Sequence, residues 1–353
     1  MGRLTGLWNK RGLSNIKGCS IPLQARVLKK MSILFVAVLT VLLGFSSLEA
    51  QEKIKFPVSV SSKTLGYGPL WAASRMKFFE GQGLDVELVL VRGAEKSVQA
   101  LVSRSVNVTA SGADGIISAV EHGLDLAMIG GIINRPSYFL MAGKRYRTYN
   151  DLRGTVIGSS GLTSGTAFTL RSLLSAHGLD QSKDYTLINV GPSAPAFTAL
   201  ANGAIAATIL PVPFNYEAME MGFNVIGQVA DEIPNLQLAT VSVSRSWAEK
   251  NRPLVVRFMK GMVMGMRWLI DNRQAGSDFL TKEMQIKREL ARRGWEYYVE
   301  KKVWDRDMAV NVEGVRTIIR IYNEMNPSLK PLASPAKYVD TSYIKEALRG
   351  ERP

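Results

Sequence analysis

Residues 54–96 read IKFPVSVSSKTLGYGPLWAASRMKFFEGQGLDVELVLVRGAEK and decide the fold class. A short apolar run, Ile54 to Val60, ends in the polar loop Ser61-Ser62-Lys63-Thr64-Leu65-Gly66-Tyr67-Gly68. A helical stretch follows, glycine stops it, and a second apolar run ends at Arg92-Gly93. This spacing predicts a strand–loop–helix–strand unit whose loops emerge at one edge of a sheet. In open α/β sheets the ligand crevice lies outside the carboxyl ends of the strands. The first loop, rich in hydroxyls and glycine, is suited to hold something small and polar.

The same handover recurs. Glu121-His122-Gly123-Leu124-Asp125 precedes the run Leu126–Ile129, Ala176-His177-Gly178-Leu179-Asp180 precedes Tyr185–Val190, and Met221-Gly222-Phe223 precedes Val225–Val229. Each glycine falls where a helix should stop, because a left-handed C-cap tolerates glycine best. Alternation of strand and helix at this spacing predicts an α/β fold with mainly parallel strands. Val98, Leu101 and Val102 share one face of a helix over 95–104, and Asp114 is placed to cap a helix over 115–122.

Asp151-Leu152-Arg153-Gly154-Thr155-Val156-Ile157-Gly158 restarts the pattern about ninety residues later, and Ser159 to Gly165 leads into another helix. We read this as the first unit of a second lobe. The expected organisation is a leader over 1–50, a first lobe over 51–142, a second lobe over 143–230, and a return to the first lobe with C-terminal helices over 231–353. Residues 238–243 read as the returning strand. Pro253 suits the first turn of a long helix with Val255, Met259, Met262, Met266 and Leu269 on one core-facing side. Crossing segments are expected near Leu140–Lys144 and Gly227–Gln237.

Residues 1–30 carry seven Lys or Arg and no acid, Ile33–Phe45 is apolar, and Ser46-Ser47-Leu48-Glu49-Ala50 offers small residues for cleavage. Together these read as a secretory signal peptide, hence a periplasmic or otherwise extracytoplasmic protein. An uncleaved N-terminal anchor is the alternative, although a span needs about 20 apolar residues. Cys19, the only cysteine, lies in this leader, so no disulfide, thiolate nucleophile or cysteine metal site is available after residue 50. The chain carries +14; removing residues 1–50 takes seven bases and one acid and leaves +8. The densest basic cluster, Lys287, Arg288, Arg292 and Arg293, reads as a solvated helix face, not a nucleic-acid patch.

Candidate ligand contacts come from the post-strand loops. Thr163, Ser164 and Thr166 lie at a predicted helix start, where free backbone N–H groups and the helix dipole favour a negative partner. Ser61, Ser62 and Thr64 supply hydroxyls from the facing lobe, and Tyr67 is a candidate wall residue, with Trp71 beside it. Ordinary helix capping is the competing account of the Ser and Thr residues. Ser111 and Asp114 follow the third strand; Asp114 either caps its helix or faces the cleft, where it would favour an amine. Arg92 follows the second strand and is suited to an anion. Ser193 and Tyr216 follow strands of the second lobe.

At this point the chain resembles a type II solute-binding protein of an ABC importer, of the nitrate/sulfonate/taurine group that shares its fold with thiamine-pyrimidine-precursor binding proteins. The resemblance runs from about Ile54 to Ala347. It is carried by Gly68-Pro69-Leu70-Trp71, Phe78-Phe79-Glu80-Gly81-Gln82-Gly83-Leu84-Asp85, Asp151-Leu152-Arg153-Gly154 and Tyr338-Val339-Asp340-Thr341-Ser342-Tyr343-Ile344 in that order. It implies a two-lobed type II periplasmic-binding-protein fold with mostly parallel sheets, two crossing segments and a helical C-terminal extension. It further implies a small-molecule ligand held in the cleft and delivered to a membrane permease. The hydroxyl-rich helix start favours a small organic anion or zwitterion, such as a sulfonate or carboxylate, and Tyr67, Trp71 and Tyr216 leave a heteroaromatic solute as the alternative. No cofactor, metal or nucleic acid is expected, and the chain is expected to be a monomer. A secreted solute sensor, or a pyrimidine-precursor-binding or -processing protein, is the alternative.

An enzyme is not expected. Only His122 and His177 are present, each at a predicted helix end, and the chain lacks a GxxxxGK[ST] loop, HExxH and a paired-carboxylate motif. Relatives that make pyrimidines use an active-site histidine and a cysteine-rich iron motif. The porphyrin-forming deaminase of the same fold needs a cofactor-bearing cysteine. Neither pattern is found here.

Overall fold

The strands β1 (Ile54–Val60), β2 (Leu84–Leu90), β3 (Val108–Gly112), β4 (Leu126–Ile133), β5 (Tyr138–Ala142), β6 (Thr155–Ser159), β7 (Tyr185–Asn189), β8 (Ala207–Pro211), β9 (Asn224–Gln228) and β10 (Ala239–Ser244) form two five-stranded sheets. They come from a computed structural model that describes residues 53–162, 164–181, 183–325 and 330–349. The expected leader, its cleavage site, Cys19 and Thr163 lie outside the described residues.

The first sheet runs β2-β1-β3-β10-β4 and the second β7-β6-β8-β5-β9. β1 pairs in parallel with β2 and β3, and β6 with β7 and β8, as apolar strands joined by helices require. One strand in each sheet runs the other way: β10 is antiparallel to β3 and β4, and β5 is antiparallel to β8 and β9. These are the two strands that enter a sheet after the chain has crossed from the other. Because β5 already belongs to the second sheet, the first crossing is Asn134–Ser137, ahead of the expected Leu140–Lys144. The second is Ile233–Leu238, which overlaps the expected Gly227–Gln237.

Both sheets are covered on both faces, which is why their strands read as apolar runs. One face of the first sheet packs with helices 68–75, 252–271 and 288–300, around Phe56, Phe258 and Tyr298. The other packs with helices 94–102 and 113–121, around Ile116 and Val315. Val98 and Leu101 are buried there, whereas Val102 is 41% exposed and lies off the expected face. Val255, Met259, Met262, Met266 and Leu269 are all buried on helix 252–271. On that helix Gly265 sits against Ala73 and Pro69, so a Cβ would lie 2.6 Å from the Ala73 Cβ and 2.7 Å from the Pro69 oxygen. The basic cluster is met by acids: Lys287 pairs with Glu220 at 3.0 Å, Arg288 with Asp278 at 3.3 Å, and Arg292 with Glu289 and Glu296.

A buried amide network ties the two crossings together. Gln237 Nε2 donates to Asn134 Oδ1 at 3.1 Å, to the Ile133 oxygen at 3.1 Å and to the Ala239 oxygen at 2.7 Å. Its Oε1 accepts the Asn311 N–H at 2.7 Å, and Asn311 Nδ2 donates to the Asn134 oxygen at 2.8 Å.

Candidate ligand-binding cleft

β1 and β3 are adjacent and parallel, so Ser61 and Ser111 leave the first sheet side by side. The Ser61 hydroxyl shares a 2.8 Å hydrogen bond with the Tyr67 hydroxyl, and both residues are buried. Ser111 is fully buried and its Oγ has no partner among the described residues. Gly112, not Asp114, is the N-cap of helix 113–121, and no side chain caps it. Asp114, one residue inside the helix, is therefore free to reach across the lobes. Its Oδ2 accepts the Gly165 N–H at 2.7 Å, at the first residue of helix 165–176 in the other lobe. Close approach needs a glycine there: a Cβ on Gly165 would lie 2.6 Å from the Asp114 Cγ.

The hydroxyl set at that helix start is also assembled. Ser164 is its N-cap, accepting from the Ala167 N–H at 3.3 Å, and its hydroxyl lies 2.8 Å from Thr166 and 3.1 Å from Ser160, which also bonds Thr166. Capping thus describes Ser164, while Ser160, absent from the expected set, joins it. Tyr67 and Tyr138 lie within electrostatic reach of Asp114, and Tyr298 lies close to both tyrosines. Tyr138 feels the electrostatic influence of Tyr67, Tyr298 and Asp114, and Tyr298 lies 3.2 Å from the Ser137 hydroxyl.

Burial sets the protonation behaviour. It pushes the Asp114 carboxyl above the usual carboxylate range, against the lowering effect of the Gly165 N–H, its own N–H and that of Gly115. Part of the Asp114 surface stays open, but the packing around the carboxylate is dense enough for desolvation to win. Among the described residues no Lys or Arg pairs with it, and Glu95 pushes its proton affinity further up. Burial also raises Tyr67 to about 12, and Tyr138 and Tyr298 are raised by the same cause, so all three are neutral hydroxyls at physiological pH.

Other expected residues stand apart. Arg92 is exposed at the end of β2, two strands from β3. Ser62, Thr64 and Ser193 are partly exposed, and among the described residues no hydrogen bond joins them to this centre. Tyr216 lies under the Arg293 guanidinium at 4.1 Å, against helix 288–300. Trp71 belongs to the core, with the Lys63 ammonium 4.9 Å from its ring centre. Neither Tyr138, which follows the first crossing, nor Tyr298, in a helix of the C-terminal extension, stands out by its spacing. Two surface hollows lie away from these residues, one of about 360 Å³ around Asp125, Arg245 and Asp340 and one of about 370 Å³ around Arg252, Asp340 and Glu346. Among the described residues no cluster of His, Cys, Asp or Glu is arranged to hold a metal, and no helix is long and apolar enough to cross a membrane.

Two five-stranded sheets flanked by helices, each with one antiparallel strand that follows a crossing of the chain, define a two-lobed type II periplasmic-binding-protein architecture. The sequence pattern of the family described as NMT1/THI5 like matches residues 65–275, and the chain belongs to that family. Among solved structures, it is similar to the periplasmic nitrate-binding protein NrtA from Synechocystis PCC 6803, with a TM-score of 0.71 and 12% identity over 85% of this chain and 89% of that one. It is similar to the ligand-binding component of an ABC-type import system from Staphylococcus aureus, with a TM-score of 0.67 and 13% identity over 84% and 99%. The periplasmic aliphatic sulphonate binding protein SsuA from Escherichia coli gives a TM-score of 0.64 and 17% identity over 82% and 92%. These likenesses show the fold.

Proposed function

We propose that the protein is the extracytoplasmic solute-binding component of an ABC importer. It captures a small zwitterion in the cleft by closure about Asn134–Ser137 and Ile233–Leu238, and delivers it unaltered to a membrane permease. The observation that carries this reading is Asp114, a carboxylate with no cation beside it, bridging to the N-terminus of the opposite helix. A zwitterion satisfies both halves of that contact. Its ammonium pairs with Asp114, and its acid group takes over the Gly165 N–H, the Ser160 and Thr166 hydroxyls and the favourable helix dipole. A bare anion meets only repulsion from Asp114 in a poorly solvated site. The bound molecule favours the closed form by its differential affinity for it. The family and the import and periplasmic binding roles of structural neighbours support the transport role. The basic, apolar and small-residue leader supports the extracytoplasmic location.

Calorimetric titration tests this. Taurine and β-alanine are compared with ethanesulfonate, propionate and nitrate, on the wild type and on Asp114→Asn. At least one zwitterion should bind ten or more times more tightly than its amine-free counterpart, about 1.4 kcal/mol. Asp114→Asn should erase that gap. Anions binding as tightly as zwitterions, or conversion of a solute on incubation, would remove the proposal.

A further inference from the structure

Helix 214–220 begins just behind β8, and Asn215, its second residue, is fully buried while neither its Nδ2 nor its Oδ1 has a partner among the described residues. Its helix neighbours are all engaged. Phe214 packs on Phe197 with ring centres 6.0 Å apart, Tyr216 lies under Arg293, and Ala218 joins the core. A buried amide with a free donor and a free acceptor is costly, and the great majority of such groups in folded proteins are paired. An apolar side chain would fill the place at less cost, so the amide calls for a partner from outside the chain.

The position of Asn215 names where that partner lies. β8 runs beside β6 in parallel, so Ser160–Thr166 and Pro213–Asn215 emerge at the same sheet edge. First-turn side chains lean toward the N-terminal end of their helix, which here is the cleft end. The loop is pinned to the tyrosine wall: Tyr138 is directly opposite Pro211 in the ladder, and the Val212 N–H donates to the Ser137 oxygen at 3.1 Å.

We propose that Asn215 is a ligand-reading residue, and that the solute presents a complementary donor and acceptor side by side, as a carboxamide does. The proposal rests on the cleft reading above and adds a third polar edge to a ligand already given an ammonium and an acid group. Asparagine, aspartate and leucine share the zwitterionic backbone and differ chiefly at that edge. Calorimetry on the wild type should show asparagine binding at least tenfold more tightly than either of the others. Asn215→Leu should erase that preference, while the melting temperature of the ligand-free protein holds or rises by a few degrees. The proposal is overturned if the wild type shows no asparagine preference (binding of none of the three included), if the preference survives in Asn215→Leu, or if that variant melts several degrees lower because the amide is structural. Taurine binding that Asp114→Asn abolishes, without an asparagine preference, removes Asn215 and leaves the cleft standing. Loss of both removes the cleft.

Discussion

Replacing Gly165 with alanine should open the ligand-free protein without weakening its fold. The added Cβ would sit 2.6 Å from Asp114 Cγ and 2.8 and 2.9 Å from its two oxygens, where ordinary contact begins near 3.4 Å. Relief requires a separation of about 0.8 Å, which stretches the 2.7 Å Asp114–Gly165 bond to about 3.5 Å and out of hydrogen-bonding range. A hydrogen bond to a charged group contributes about 1.5–3 kcal/mol. At about 2 kcal/mol, the ratio of closed to open molecules falls about thirtyfold. Helix propensity acts the other way, favouring alanine over glycine by up to about 1 kcal/mol, so melting should not collapse. Dyes on Lys96→Cys and Asn202→Cys, exposed positions on the two lobes, would report closure by single-molecule energy transfer in a Cys19→Ser background free of the only native cysteine. The transfer distribution should shift to longer distances in Gly165→Ala. An unchanged distribution would refute the bridging role of Asp114, and a shift accompanied by a large loss of melting temperature would assign it to misfolding.

Asp114→Asn should also change the pH dependence of stability. The folded-state carboxyl titrates above its unfolded value, so the folded form holds the proton where the unfolded form has lost it. Stability therefore falls as pH rises from the ordinary carboxylate range through the raised value, and the variant should flatten that slope in urea titrations at stepped pH. Gln237→Leu strands the Asn311 N–H and the Asn134 Oδ1, and should cost about 2 kcal/mol in denaturant unfolding. Gly265→Val forces a side chain into the Ala73–Pro69 contact and should lose about 1–3 kcal/mol by the same assay. Arg92→Ala should leave solute affinity within about twofold in calorimetry, because that guanidinium is exposed two strands from β3.

Much of the fold was legible because both sheets are buried on two faces. Strands such as β1 and β4 then read as apolar runs, and the glycines at 83, 123, 178 and 222 take positive φ where the helices end. The crossing strands were harder. β5 is a five-residue apolar run like its neighbours, and nothing local says that it pairs antiparallel in the other sheet, so the first hinge was expected several residues late. Among the candidate contacts, Ser61 and Ser164 do lie in loops that follow strands, whereas Ser111 lies inside β3 and Asp114 inside the helix after it. The bridge between Asp114 and Gly165 was not legible, because a carboxylate in the first turn of a helix carries the same sequence signature whether it caps its own helix or reaches another. Tyr298 was hidden for a related reason: long-range packing, not spacing, brings its hydroxyl to Ser137.

A crystal structure grown in the presence of the tightest-binding zwitterion tests the central claim most directly. The solute should lie between the lobes, its ammonium on the Asp114 carboxylate and its acid group on the Gly165 N–H, with the Asp114–Gly165 bond replaced. Density for the solute in the hollow around Asp125 and Arg245, with that bond intact, would contradict the account.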